Sequence, residues 1–93
     1  QEGMFVIILA IDRANVKVLK NPDIISRGFI YLKDNHEILN DIRKRIRGIL
    51  ERIPKHQSLD ADYLKNIIRN QIGQFLFNRT HRRPMVLPVV IEI

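Results

Sequence analysis

The chain has 93 residues, the size of one small domain that buries about 60% of the surface its unfolded chain exposes. It contains no cysteine, which excludes disulfides, thiolate metal sites and a cysteine nucleophile, and no apolar run approaches the ~20 residues of a membrane span or forms a secretion signal. The formal net charge of +6 is compatible with a polyanionic partner, although basic proteins of other classes carry a similar charge.

Three short strands are predicted in the first part of the chain. Met4–Asp12 is a continuous apolar run rich in Val and Ile, typical of a buried strand. The chain can then turn back into a second strand at residues 16–19, which makes a hairpin with the first. Residues 21–23 break the strand because proline lacks a backbone donor. The third strand is predicted at residues 26–32, where Gly28 indicates a bulge or a close approach of two backbones.

Two amphipathic helices follow. The first is predicted to begin at a capping box of Asp34 and Glu37 and to stop at Pro54. The second is predicted to begin at a cap supplied by Ser58 or Asp60. Each helix has one apolar stripe, so both are expected to pack on the same face of a sheet. The stripes are Ile38, Leu39, Ile42, Ile46, Ile49, Leu50 and Ile53 in the first helix, and Leu64, Ile67, Ile68, Ile72, Phe75 and Leu76 in the second.

A final strand is predicted at residues 85–93, where Pro88 favours an edge position. The order of elements is therefore βββααβ. The predicted fold is an α+β two-layer sandwich, with two helices packed on one face of a small mixed sheet. A single domain is expected to cover residues 1–93.

No residue pattern in the sequence indicates catalysis or metal binding. His36, His56 and His81 lack the short spacings that place metal ligands on one face of a helix. Ser26 and Ser58 lack an evident base. Neighbouring carboxylates lie at predicted helix starts, which favour negative charge without any ligand. The chain is therefore not expected to be an enzyme by itself.

Positive charge is concentrated in two groups of residues. Antiparallel helices would keep these groups apart as separate patches. Cations near a helix C-terminus are favourable without a ligand, so a solvated face competes with nucleic-acid contact. Any such contact would be with phosphates, because exposed aromatic residues do not alternate with the basic ones. The groups are Arg43, Lys44, Arg45, Arg47, Arg52 and Lys55 in and after the first helix, and Arg79, His81, Arg82 and Arg83 after the second.

Arg27 and Phe77 leave alternatives open. Arg27 can fork to a phosphate or form an internal salt bridge with Asp23. Phe75 belongs to the buried stripe of the second helix, and Phe77 is interpreted as packing against the sheet rather than as an exposed contact. The candidate RNA-contacting residues are Arg27, Arg43, Lys44, Arg47, Arg79, Arg82 and Arg83.

Two segments together carry a resemblance to a known family. Residues 21–31 read Asn-Pro-Asp-Ile-Ile-Ser-Arg-Gly-Phe-Ile-Tyr, and residues 80–88 read Thr-His-Arg-Arg-Pro-Met-Val-Leu-Pro. In this order, with two helices between them, they resemble the C-terminal domain of ribonuclease J, a bacterial RNA-decay enzyme, from about Gly3 onward. Asn21 stands where a glycine commonly precedes the Pro-Asp pair. The matching positions are Pro22, Asp23, Ser26, Arg27, Gly28, Phe29, Arg82, Arg83, Pro84 and Met85.

The resemblance implies an accessory domain of a larger enzyme. In that family a metallo-β-lactamase domain with an inserted beta-CASP domain binds zinc and cleaves RNA, both internally and from the 5′ end. No cofactor is expected in this domain, and zinc is expected in the absent catalytic domain of the parent. The expected partners are the parent's catalytic and beta-CASP domains, a second copy in a homodimer and RNA, in the cytoplasm and without membrane contact.

The dimer contact implied by the resemblance has two candidate locations. One is an exposed face of the sheet, and the other is a bare strand edge at residues 4–11 or 85–93, where unpaired backbone groups invite a partner. The alternative function is an independent RNA-binding module that contacts phosphates.

Overall fold

The computed structural model describes residues 3–12, 17–18, 21–29, 36–53 and 60–93. Within these residues the elements follow the predicted order βββααβ, and the α+β fold class is confirmed. The strands are β1 (Met4–Asp12), β2 (Lys17–Val18), β3 (Asp23–Arg27) and β4 (Met85–Glu92), and the helices are α1 (His36–Glu51) and α2 (Ala61–Thr80).

Strand β1 is the centre of the sheet, since each of the other described strands pairs with it. Strand β4 runs parallel to β1 from Met4 to Ile11 and so occupies one whole edge of it. Strands β2 and β3 run antiparallel to β1 and pair with its opposite edge. Between the Ile8 and Ile11 pairs β1 has two residues, whereas the chain from β2 to β3 has four. The pairing register with β1 therefore shifts by two residues between β2 and β3, and Pro22, which has no backbone donor, lies in this interval.

The core lies between one face of the sheet and both helices. Phe5, Ile7, Leu9 and Ile11 of β1 are at most 1% exposed. They pack with the apolar stripes of the helices, and Leu39, Leu50, Ile53, Ile67 and Phe75 flank this core as partly buried residues. The predicted packing of two helices on one sheet face is therefore confirmed. The buried helix positions are Ile38, Ile42, Ile46 and Ile49 in α1 and Leu64, Ile68, Ile72 and Leu76 in α2.

Helix α2 has a defined cap at each end. An Oδ1 atom of Asp60 accepts hydrogen bonds from the backbone N–H groups of Asp62 at 3.0 Å and Tyr63 at 3.3 Å, which confirms Asp60 as the N-cap. His81 ends the helix in the left-handed conformation, with φ of 59°, and its N–H donates to the carbonyl of Phe77. The other residues predicted to bound the helices, Asp34, Pro54 and Ser58, lie outside the described residues.

The predicted position of the third strand is wrong. Strand β3 spans Asp23–Arg27, because the segment after Pro22 pairs at once with Ile8 rather than turning. Gly28 lies beyond the strand with φ of +69°, and residues 30–32 lie outside the described residues. The close backbone approach inferred from Gly28 is confirmed, since a Cβ built on Gly3 would lie 2.9 Å from the carbonyl carbon of Gly28. It occurs at a bend after the strand rather than at a bulge within it.

Candidate functional site

The sheet face opposite the helices is apolar, and no described element covers it. Side chains alternate along a strand, so Met4, Val6, Ile8 and Ala10 point away from the helices and remain partly exposed. The neighbouring strands add side chains that are 36–51% exposed on the same face. These are Ile25 of β3 and Met85, Leu87, Val89 and Ile91 of β4, and Ile93 beyond β4 is 74% exposed.

The pairing register places charged residues at two corners of this apolar face. Arg27 pairs with Met4 at one end of β3, and Asp23 pairs with Ile8 at the other end, with Ile25 between them. Four residues of extended strand separate the Cα atoms of Asp23 and Arg27 by about 13 Å, with the Ile25 side chain between them. The internal salt bridge between Asp23 and Arg27 that the sequence left open is therefore wrong.

The outer edge of β4 is interrupted by Pro88. The backbone N–H of Met85 donates to the carbonyl of Gly3 at 2.8 Å, and that of Ile93 donates to Ile11 at 2.9 Å. Odd-numbered residues of β4 thus direct their backbone N–H groups at β1. The backbone nitrogen of Pro88 faces the outer edge of the sheet, so its missing N–H costs no hydrogen bond to β1. The predicted edge position of Pro88 is confirmed, since β1 is the one described strand that pairs with β4.

A partner strand would meet a missing donor in the middle of the β4 edge, so this edge suits strand pairing poorly. Residues 4–11 offer no bare edge either, because β4 covers one side of β1 along its length and β3 covers much of the other. Of the two locations considered for a dimer contact, the sheet face is the better one.

A basic groove of about 470 Å³ lies between the two helices, on the other side of the molecule from the apolar face. Lys44 and Arg45 of α1 and Arg52 directly after α1 line it together with Arg79 of α2. Among the described residues that line it, Asp41 is the one acidic residue. Four cations and one carboxylate leave the groove with an excess of three positive charges.

Phe75 organises two of these cations. The guanidinium carbon of Arg45 lies 4.6 Å from the centre of the Phe75 ring, and that of Arg79 lies 5.8 Å from it. Arg79 Nη1 also donates to Asp41 Oδ2 at 2.9 Å. The prediction of two separate basic patches is therefore wrong for Arg79, which joins the cations of α1. The antiparallel helices bring Asp41 opposite Arg79 and Arg45 opposite Phe75.

Aromatic and basic side chains also meet after α2. The guanidinium carbon of Arg83 lies 4.0 Å from the centre of the Phe77 ring, and the rings of Phe77 and His81 meet edge to face at 5.8 Å. Here too a basic side chain contacts an aromatic ring that is itself only partly exposed. Phe77 is partly buried, and one face of its ring is covered by Arg83.

The candidate RNA-contacting residues do not converge on one surface. Arg43, Lys44 and Arg47 line a second cavity of about 450 Å³ together with Asp23, and Arg47 Nη2 donates there to the Asn21 side-chain oxygen at 3.4 Å. Lys44 also lines the groove that contains Arg79. Arg27 lies on the sheet face, and Arg82 and Arg83 are exposed beyond α2.

Sequence reasoning did not assign Arg45, Gly48 and Arg52 to a site, although all three line the groove. Their spacing of three and four residues places them on one side of α1 and of the turn that follows it. Gln71, Phe75 and Arg79 recur every fourth residue along α2 and face them. Comparison of the two spacings on antiparallel helices could have identified this groove.

The two motif segments that carry the family resemblance flank the start of β1. Met4 pairs with Arg27 on one side and with Met85 on the other. Phe29 is buried against Phe5, with ring centres 5.0 Å apart. Pro22 and Pro84 are buried, Ser26 is partly buried, and Asp23, Gly28 and Arg82 are exposed. The motif residues Phe29, Pro22 and Pro84 therefore have a packing role in this fold.

The described residues contain no group of three or more His, Cys, Asp or Glu side chains that could hold a metal ion. In the same part of the chain no helix is both long enough and apolar enough to cross a membrane.

Comparison with known proteins assigns the family. The family model for the ribonuclease J C-terminal domain matches residues 1–93. The chain belongs to this family. The domain is 33% identical over 93 residues to Ribonuclease J 2 of Staphylococcus saprophyticus and to that of Staphylococcus epidermidis, and 32% identical to Ribonuclease J 2 of Staphylococcus aureus.

Each of these matches covers 100% of the chain but 17% of the relative's length. The ribonuclease J C-terminal domain thus spans about a sixth of the curated relatives it matches. The resemblance inferred from the two motif segments is confirmed.

Proposed function

We propose that this ribonuclease J C-terminal domain is a non-catalytic accessory domain of a larger, zinc-dependent RNA-degrading and RNA-processing nuclease. It supports dimer assembly and helps to retain RNA, while catalysis and zinc belong to the parent's metallo-β-lactamase and beta-CASP domains in the cytoplasm. The relatives are named as ribonucleases, and the matched region is 17% of their length, which leaves room for a separate catalytic domain.

The observation that carries the assembly role is the mismatch between the sequence of β1 and its surroundings. Residues 4–11 of β1 are apolar on both faces, as is typical of a strand buried on both sides, yet the helices cover one face only. The uncovered face measures about 26 by 15 Å, or about 400 Å², from strand rise and spacing. That is half of the ~800 Å² that one partner contributes to an interface of standard size. The isolated domain should therefore self-associate weakly, and the parent enzyme more strongly.

A second copy of this chain fits the face because the face is complementary to itself. A two-fold axis between two stacked sheets, perpendicular to the strands, reverses the order of residues along each strand. Arg27 of one copy then lies opposite Asp23 of the other, and Ile25 faces Ile25. Attractive charge pairs at both ends of β3 would fix the register of an otherwise apolar contact.

Sedimentation velocity across protein concentration tests the assembly role. Leu87→Glu places a charge on the apolar face and should abolish self-association, because a buried unpaired carboxylate is strongly unfavourable. Tyr63→Glu is the matched control, since Tyr63 is also an exposed apolar residue but lies on α2. Self-association that survives Leu87→Glu, or that Tyr63→Glu abolishes equally, would contradict the proposal.

The RNA-retention role is supported by the net charge of +6 and by the clustering of cations on the helical side of the domain. These cations lie on the layer opposite the apolar sheet face, so one molecule could use both surfaces at once. Binding of single-stranded RNA to the isolated domain, weakening steeply with salt, is the expected result. An RNA affinity that does not change with salt would contradict retention through phosphates.

A further inference from the structure

We propose that the groove between α1 and α2 binds the backbone phosphates of single-stranded RNA through Lys44, Arg45 and Arg52. The inference rests on the RNA-retention part of the proposed function and assigns it to one site and one form of RNA. It also moves the site away from Arg27, Arg82 and Arg83, which lie elsewhere on the domain.

The groove contains positive charge that no described carboxylate neutralises. Arg79 is neutralised by Asp41 at 2.9 Å. Among the described residues, Lys44, Arg45 and Arg52 have no carboxylate within ion-pair distance. Three unpaired cations around one concave surface concentrate positive potential, and a ligand with regularly spaced negative charges satisfies it.

The Arg45 side chain is held in place by Phe75. Phe75 contacts the guanidinium group through the face of its ring at 4.6 Å. The N–H donors of arginine lie in the plane of the guanidinium, so contact with the ring leaves them available to two phosphate oxygens. Because the ring already restricts the side chain, less conformational entropy is lost when a phosphate binds.

Gly48 of α1 also lines the groove. Glycine inside a helix costs about 1 kcal/mol relative to alanine. A Cβ built on Gly48 meets no atom within 4 Å, so close packing does not require glycine there. Its absent side chain widens the groove at the point between Arg45 and Arg52. Gly73 in α2 has equally open surroundings but does not line the groove, which makes it the matched control.

The dimensions of the groove favour a single strand over a duplex. From Asp41 to Arg52 the groove follows α1 for about 16 Å. Double-stranded RNA is recognised over about 16 base pairs, by contacts across successive grooves, which a site of this length cannot span. A single strand can instead follow the concave surface with a few successive phosphates.

Fluorescence anisotropy of a short labelled oligouridylate with the 93-residue chain tests the inference. Contact with three phosphates gives a log-log salt slope near −2, or about 20-fold weaker binding at ~200 mM salt than at ~50 mM. Gly48→Glu should weaken binding about tenfold and make the slope shallower by ~1, since it neutralises one contact. Gly73→Glu makes the same change in net charge outside the groove and should have a much smaller effect. Both variants raise helix propensity, and circular dichroism verifies that they fold.

The outcomes separate this site from the proposed function. Equal weakening by Gly48→Glu and Gly73→Glu would mean that net charge alone is responsible, which overturns the groove. Loss of binding on Arg43→Glu and Arg47→Glu, with no effect of Gly48→Glu, would place the RNA in the neighbouring cavity and also overturn it, while RNA retention would stand. Competition by polyglutamate as strong as that by RNA would identify a site for acidic proteins instead. No RNA binding at low salt would defeat retention itself, leaving the assembly role to its own test.

Discussion

Replacement of Gly3 by alanine should destabilise the domain far more than the same change at Gly28. Both residues have positive φ, 97° for Gly3 and 69° for Gly28, and their backbones approach each other beside the start of β1. They differ in the space around them. A Cβ on Gly3 would lie 2.9 Å from both Gly28 C and Phe29 N, whereas a Cβ on Gly28 would have ordinary contact with Gly3 at 3.6 Å.

The two costs follow from this geometry. At Gly28 the left-handed conformation costs alanine about 1–2 kcal/mol, partly offset by ~0.4–1 kcal/mol from a less flexible unfolded chain. At Gly3 the φ angle lies outside the left-handed helical region, and the added atom collides with backbone, which adds ~1–3 kcal/mol. Gly3 cannot move away easily, because its carbonyl accepts the Met85 N–H of β4 at 2.8 Å. We expect net losses of about 3 kcal/mol for Gly3→Ala and about 1 kcal/mol for Gly28→Ala.

Urea unfolding followed by circular dichroism measures both losses. For a domain of this size, the same losses of free energy would lower the melting temperature by about 12–24 °C for Gly3→Ala and about 4–8 °C for Gly28→Ala. Gly28→Asn serves as a control and should cost less than Gly28→Ala, because asparagine tolerates the left-handed region. A loss for Gly3→Ala no larger than that for Gly28→Ala, with equal denaturant slopes, would refute the reasoning.

Three further predictions concern single residues. Asp60→Ala should lower the free energy of unfolding by about 1 kcal/mol, because the N–H groups of Asp62 and Tyr63 lose their acceptor; no change in urea unfolding would contradict that cap. His81→Gly should raise the melting temperature by a few degrees, since glycine adopts the left-handed cap without strain; a lower temperature would mean that the contact with Phe77 matters more. Pro88→Val should leave the free energy of unfolding within about 1 kcal/mol of the parent chain but increase light scattering, because it restores an outward donor to the β4 edge; unchanged scattering would count against the edge argument.

The periodic parts of the sequence predicted the fold well. The apolar stripes of α1 and α2 repeat over several turns, and burial at Ile42, Ile46, Leu64 and Ile68 follows directly from that spacing. Position was harder to predict where local chemistry competes with tertiary pairing. Pro22 indicated a turn, but pairing of Asp23 with Ile8 begins the strand at once. Strand β3 therefore starts three residues earlier than predicted.

The candidate sites depend on contacts between distant residues, which limited what the sequence could predict. Arg45 and Phe75 are thirty positions apart, and only the register of the antiparallel helices brings them within 4.6 Å. The sequence did predict the alternation along β4, but the continuous apolar run of β1 indicated burial on both faces. Which face lacks a covering layer follows from the side on which both helices pack.

The central claim is that the apolar sheet face binds a second copy of the chain through reciprocal contact between Asp23 and Arg27. Asp23→Arg leaves two cations on this part of the face, and Arg27→Asp leaves two carboxylates. Each variant should be defective in self-association, because like charges meet across the two-fold axis. An equimolar mixture should recover association, since each acidic copy finds a basic one.

Sedimentation velocity of the two variants, alone and mixed, at the highest soluble concentration, is the direct measurement. The account predicts slow sedimentation of each variant alone and faster sedimentation of the mixture. A mixture that sediments as the average of its components, or single variants that associate like the parent chain, would contradict a second copy on this face.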